Sequence, residues 1–511
     1  MKKLIIIFLA AFLCLGMFIS CGKGDGDSSS VTEGQSTPDV SDTSEPPSEA
    51  SRPEDDPYTD SEGRYVNTNE VIDWEEREFS IIVRGKGAGT YQSDDFTTGS
   101  ELYGDLLDTA VTERNNKIEA AYNVKLKIYK SDSLTGDPIV SDIRTDISTN
   151  TRLYDAVMPT IPALSVLAAE GNLLDLNTLP YIKLEAPWWD ANATKTFSVA
   201  NKVYFTTGDI TILNKVNSGG MLFSKEIVKN LGLDDPYALV KDHKWTYEKM
   251  KQMAKSATVI NNKENVTAPE NTWGMLASYN DALAFYGSAG QLLCAKDPDD
   301  FPYLVFGDET TMTIAQKIID DMIEKNTWVV YAQNFEPNIW VTSLDAFIEG
   351  RILFRPSVFS ATTKLRIAGA DFGVLPMPLW NEDQDDYCTY CGTGETAGLG
   401  ISIGCDDPDF SAYMVEAIAC ESKNIITPAY VELNLKSKDM QDNDSYDMLE
   451  IVFSNIVYDT GEAYDFGGLK RMFSSQVESG RNTLISDFDT KKQVIDTAID
   501  DLIDSYLANQ N

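Results

Sequence analysis

The chain has 511 residues, with 80 acidic against 42 basic side chains and a formal net charge of −38; its 42% hydrophobic and 10% aromatic content is that of an ordinary globular protein. An excess of that sign excludes a nucleic-acid surface, which needs clustered Lys and Arg against the phosphates, and keeps the body of the protein off an anionic bilayer. One core cannot serve a chain of this length, so two lobes are expected.

Residues 1–20 read as a signal peptide: Lys2 and Lys3, an apolar run over 4–19, then a small residue, Ser20, before Cys21. The run is too short for an ordinary spanning helix of about 20 residues. The sequence Phe18-Ile19-Ser20-Cys21 resembles a bacterial lipobox, which implies lipidation of Cys21 and anchoring to the outer face of a cell membrane. Residues 22–63 hold twelve acidic and two basic side chains among Ser, Thr, Pro and Gly, with Tyr58 their one aromatic. Such a stretch buries too little to order itself and repels itself into an extended tether.

The mature body alternates strand and helix. A β-branched run over 78–83 stops at the loop 84–91, a helix follows from Ser100, and a strand alternates over 124–129. Its glycines read G-x-G-x-G, and no G-x-x-x-x-G-K-[ST] occurs, so nucleotide binding is not supported. A short buried strand over 154–158 precedes a helix over 162–170, and strands over 202–205 and 220–223 precede helices near Ser224 and Thr246. Helices are expected over 313–325 and 337–350; the stripe Trp340, Leu344, Phe347 and Ile348 on the second reads as core. Strands over 352–354 and 372–375, a glycine-rich crossing over 391–400, a helix over 410–421 and an amphipathic C-terminal helix around Val494 to Tyr506 complete the pattern.

Metal and thiol chemistry find little support. Cys388 and Cys391 have the spacing of half a zinc site, but no second CxxC exists and His243 is the one histidine. Core thiols or one surface disulfide remain open for them, and His243 reads as a solvated loop residue. Asp442 and Asp444 begin like a calcium loop, yet Tyr446 and Asp447 stand where an oxygen ligand and a glycine are needed. No cofactor is implied.

Four stretches, in order and spacing, resemble the extracellular solute-binding proteins of ABC importers, in the sugar-binding group that includes maltose-binding-type proteins. They are 154–176 (YDAVMPTIPALSVLAAEGNLLDL), 201–233 (NKVYFTTGDI through MLFSKEIVKNLGL), 244–258 (KWTYEKMKQMAKSAT) and 346–378 (AFIEGRILFRPSVFSATTKLRIAGADFGVLPMP). The resemblance implies a two-lobed α/β fold of periplasmic-binding-protein type II, with residues 64–205 and 395–455 in lobe 1 and 206–394 and 456–511 in lobe 2. It also implies chain crossings near 205–210, 392–401 and 456–461, hinge closure on a ligand, a monomeric binder with no enzymatic activity, and a membrane permease as partner.

By position in that pattern, the ligand contacts are expected at Asp209, Tyr279 and Asn280, then Arg84, Tyr91 and Glu395, with Thr160 and Phe359 on neighbouring loops. Trp188 and Trp189 are added because adjacent tryptophans in a loop are hard to bury together, and a sugar offers its CH faces to flat aromatic rings and its hydroxyls to polar groups. Where maltose-type binders have a tryptophan after the corresponding strand, this sequence has Phe359-Ser360, which points away from maltodextrin. A binder of peptides or other small solutes on the same fold, and a surface glycoside hydrolase using paired carboxylates, stay open.

Overall fold

The computed structural model describes residues 56–131, 138–324, 327–439 and 442–509. The expected signal peptide, the lipidation at Cys21 and most of the acidic tether lie outside the described residues. Among the described residues no helix is long and apolar enough to cross a membrane.

Two five-stranded sheets organise the body. The first runs Val124–Ser131, Arg77–Arg84, Ala156–Met158, Leu399–Gly400, Phe205–Thr206. Its first three strands are parallel, and Leu399–Gly400 lies antiparallel to both of its neighbours. The second runs Phe372–Leu375, Gly219–Ser224, Ile352–Val358, Trp273–Ala277, Val329–Tyr331, with Gly219–Ser224 the antiparallel member and the last three parallel. All five residues from Phe79 to Val83 are buried, as expected for burial on both faces of a largely parallel sheet, and the one polar member, Ser80, donates its hydroxyl to Asp155 Oδ2 at 2.9 Å.

Helices cover the sheets for local reasons that the sequence carries. Helix Pro408–Pro428 starts with Pro at its first position and Asp407 as cap, the Asp407 carboxylate accepting from the backbone N–H groups of Asp409 and Phe410. Every residue from Phe410 to Cys420 is buried, which marks a helix enclosed on all sides. It forms one core with Phe79, Ile81 and Val83. Helix Lys225–Leu231 starts at Ser224, whose hydroxyl accepts from the Ile227 N–H, and ends at Gly232 in the left-handed region at φ 61°.

The chain leaves the first sheet after Phe205–Thr206, enters the second at Gly219–Ser224, and returns between Thr389–Tyr390 and Leu399–Gly400. An antiparallel bridge between Ser218 and Cys391 ties these two crossings together. Asn217 Nδ2 adds donations to the Gly392 carbonyl and to Thr396 Oγ1.

The third crossing differs from the expected segmentation, which kept residues up to 455 in the first lobe. Pro428 lacks the N–H that would continue the α-helical pattern, and the chain widens into the π-helical stretch Ala429–Asp439. Helix Asn443–Ser454 then packs on strand Phe372–Leu375, and Tyr430, Leu449 and Val452 join the second lobe's core with Leu222 and Val374. The first lobe also begins earlier than residue 64. Tyr58 packs edge-on against Trp188 at 5.4 Å and donates to Glu185 Oε1 at 2.9 Å, while Asp60 closes the turn by accepting from the Arg64 N–H. One aromatic is enough to seat the end of a segment whose composition is otherwise that of a tether.

Candidate ligand cleft

A cavity of about 580 Å³ opens where the two lobes meet. The first lobe contributes Thr90 and Tyr91, from the loop after strand Arg77–Arg84, and Glu395 from the second crossing. The second contributes residues beyond the carboxyl ends of its parallel strands, where open α/β sheets place their ligands. Ser278, Asn280 and Asp281 follow strand Trp273–Ala277, and Ser360 and Lys364 follow Ile352–Val358. Gly220 sits on the cavity wall with Leu375 O and the Phe359 ring so close that an added Cβ would lie 3.2 and 3.3 Å from them. A side chain there would intrude on the wall.

Two arginines give the cleft its charge pattern. Arg84 donates through Nη2 to Glu395 Oε2 at 2.6 Å and through Nη1 to the Glu395 carbonyl at 2.7 Å, holding the crossing against the strand end. Arg355 is buried to 7% exposure, and among the described residues its side chain makes one hydrogen bond, from Nη1 to Ser343 Oγ at 3.3 Å. Its buried Nε has no partner among the described residues. Burial pulls the Arg355 pKa down to about 10 and pushes Asp281 up to about 7, although the two charges favour each other. Asp281 Oδ2 accepts from the Ser278 N–H at 2.7 Å.

Three aromatic residues line the cavity, Tyr91, Trp340 and Tyr390, and the first two come from opposite lobes. Tyr91 comes from the first, with its hydroxyl 3.4 Å from Ser360 Oγ of the second. Trp340, in the first turn of helix Ile339–Ile348, is 52% exposed and lines the second lobe's side. The helical spacing placed Trp340 in a core stripe; Leu344 and Phe347 are buried as expected, whereas Trp340 projects where the helix emerges into the cleft.

Of the residues expected from the sequence, Tyr91, Asn280 and Glu395 line the cavity, and Arg84 stands behind Glu395. The Asn280 side-chain amide makes no hydrogen bond among the described residues, so it is available to a ligand. Tyr279 is half-buried against Tyr331 at 5.0 Å, and Thr160 is buried at the start of helix Ile161–Ala169, bridged to Ala397. Neither belongs to the cavity wall.

Four expected contacts are occupied by the protein itself. Asp209 accepts from Lys215 at 2.8 Å, Lys423 at 2.9 Å and Thr427 at 2.7 Å. Burial alone would raise its pKa, but the two ammonium charges outweigh that and hold the carboxyl at about 2. Trp188 and Trp189 are buried together, their indole N–H groups donating to the two oxygens of Glu416 at 3.1 and 2.8 Å. Phe359 is 2% exposed in the second lobe's core, 5.2 Å from Phe453. Arg355 is not among the residues expected from the sequence; its signal is a charged residue directly after the apolar Ile352-Leu353-Phe354 in strand Ile352–Val358.

The described cysteines are free thiols, and Cys391 Sγ lies against Asn214 O at 3.4 Å and Thr396 Oγ1 at 3.3 Å. His243 is half-buried rather than solvated, its Nε2 2.7 Å from the Gln384 carbonyl. Among the described residues no group of three His, Cys, Asp or Glu is placed to hold a metal ion.

No family model and no curated protein matches the sequence. Solved structures do. The cyclic α-maltosyl-1,6-maltose binding protein from Arthrobacter globiformis aligns with a TM-score of 0.55 at 13% identity, over 83% of this chain and 99% of that one. A cyclo/maltodextrin-binding protein complexed with maltotetraose gives 0.53 at 13% identity, over 85% and 97%. An ABC substrate-binding protein from Listeria monocytogenes in complex with cycloalternan gives 0.51 at 13% identity, over 84% and 99%. The chain therefore has the two-lobed α/β fold of the periplasmic-binding-protein type, the fold class expected from its sequence.

Proposed function

We propose that the protein is the ligand-capturing component of an ABC importer, closing its two lobes on a carbohydrate and handing it unaltered to a membrane permease. It would work as a monomer held on the outer face of the cell membrane by lipid at Cys21, without enzymatic activity. The observation that carries this reading is one cavity with an aromatic ring from each lobe, Tyr91 and Trp340, and a polar rim of Ser278, Asn280 and Glu395. Flat rings suit the CH faces of a sugar, and the rim suits its hydroxyls. A ligand that touches both lobes draws them together because it binds the closed form better. The ligands in the similar structures, cycloalternan and maltotetraose, are of the same class.

The test is titration of the full chain in detergent with mono- and oligosaccharides, peptides and amino acids, following tryptophan emission and melting temperature. A saccharide at about 100 times its dissociation constant should add about 2.7 kcal/mol of stability. Stabilisation by peptides alone, or consumption of the sugar with turnover, overturns the reading.

A further inference from the structure

The charged groups of the cleft do not balance in pairs. Glu395 is taken by Arg84 at 2.6 Å, and Glu462 by Lys470 at 2.8 Å. Arg355 and Lys364 line the same cavity, and neither makes an ion pair among the described residues. The two differ in kind. Lys364 is exposed and its ammonium is solvated at little cost, whereas Arg355 is 93% withdrawn from solvent, with Nε unpartnered and one long bond to Ser343 Oγ. A buried guanidinium in that condition is costly unless something supplies both a charge and acceptor atoms. Asp281, the one carboxylate of the cavity wall without a cation partner, lies beyond ion-pair distance of Arg355 and turns Oδ2 to the Ser278 N–H.

From this we infer that the cleft takes an acidic saccharide, one carrying a carboxylate such as a uronic acid residue, with the carboxylate seated on Arg355 and approached by Lys364. The inference rests on the carbohydrate reading above and names the class of sugar. A neutral hydroxyl would satisfy the Nε hydrogen bond and leave only Asp281, beyond ion-pair distance, to offset the charge; a carboxylate supplies both acceptor and charge, and its planar pair of oxygens matches the guanidinium fork. A phosphate monoester, at about −1.5 to −2, brings more charge than one guanidinium and one ammonium offset in a wall that also holds Asp281. With a net charge of −38 the protein as a whole repels anions, so selection for one must come from these two side chains, and added salt should speed its association.

The experiment uses di- and trisaccharides bearing one glucuronic or galacturonic acid, each paired with its methyl ester, and titrates them into the full chain by calorimetry. Some acid of the panel should bind at least about tenfold tighter than its ester, as expected for a charge-assisted pair in a dry site. Arg355→Gln should bring that ratio to near one, Arg355→Lys should keep part of it, and Lys364→Gln, at an exposed position, should lower it without touching the fold. Acid and ester binding alike in the wild type overturns this inference and leaves the carbohydrate reading standing. An unchanged ratio in folded Arg355→Gln removes Arg355 from the site, and tighter binding of sugar phosphates than of uronates overturns the carboxylate. Failure of every saccharide, acidic or neutral, overturns both readings.

Discussion

Tyr91 Oη of the first lobe lies 3.4 Å from Ser360 Oγ of the second, a long hydrogen bond across the cleft rather than within either lobe. A bond between lobes contributes to the closed form and nothing to the open one. Tyr91→Phe keeps the ring on the cavity wall and removes only that bond, so its effect should fall on the closing equilibrium. With a neutral hydrogen bond worth about 0.5–1.5 kcal/mol, and this one long, affinity should fall about two- to fivefold with the melting temperature of the free protein nearly unchanged. Equal affinity in calorimetry would mean that closure does not use this contact.

Trp340 offers a different kind of test, because it is half-exposed. Trp340→Ala should leave stability within about 0.5 kcal/mol, as for a surface substitution, while loss of the aromatic platform weakens saccharide binding by about 10- to 100-fold. Trp340→Phe should recover part of it. If the emission change on ligand binding persists in Trp340→Ala with the wild-type dissociation constant, the ring is not a ligand platform.

What the sequence made legible was the order of elements, since strand and helix periods and caps such as Ser224 and Asp407 are local. What it hid were partnerships between residues far apart in the chain. The pair Trp188-Trp189 reads as difficult to bury until Glu416, more than 220 positions away, supplies one carboxylate oxygen to each indole. Asp209 reads as a free acid in a cleft loop until Lys423 arrives from the helix Pro408–Pro428. Trp340 fails for the opposite reason: a helical stripe continues smoothly from Leu344 to its first turn, and periodicity carries no sign of where the helix leaves the core. The third crossing lies earlier than the helical pattern suggests because Pro428, a single residue in an apolar helix, ends the α-helical bonding and the chain continues as a π-helix.

Asp209 should therefore matter to stability and not to ligand contacts. Asp209→Ala leaves the half-buried Lys215 and Lys423 without their carboxylate, and breaking such a network costs at most about 3–5 kcal/mol, the figure for fully buried pairs. The ligand dissociation constant, measured well below the lowered melting temperature, should change little. The pH dependence has a defined sign. The folded pKa of about 2 lies below the ordinary value of 3.8, so the contribution is complete above pH ~4–5 and is lost as pH falls towards 2, on the order of 2 kcal/mol in all. A wild-type protein whose acid unfolding coincides with that of Asp209→Asn would contradict this.

Glu416 has the opposite sign. Burial pushes its carboxyl up to about 8, with the two indole donors opposing the shift; burial likewise raises Asp459 and Asp281 to about 7. Each is an acid whose folded pKa exceeds its unfolded one, so the folded chain holds the proton more tightly. Their contribution is complete below the unfolded values near 4 and drains away as pH rises through 7 to 8. Together with Asp209 they place the maximum of their combined contribution on the acidic side, at about pH 4 or slightly below, with a decline from there towards pH 8 that surface carboxylates do not produce. Glu416→Gln removes its share of that decline, because an amide does not titrate. It also turns an NH2 donor towards one of two indole donors, which leaves a buried N–H unpaired at a cost of about 1–3 kcal/mol. Denaturant unfolding at pH 5, 6.5 and 8 should thus show the variant less stable than wild type at pH 5 and the gap narrowing by pH 8. A gap that is constant or widens with pH would mean that Glu416 is ionised beneath the tryptophans throughout.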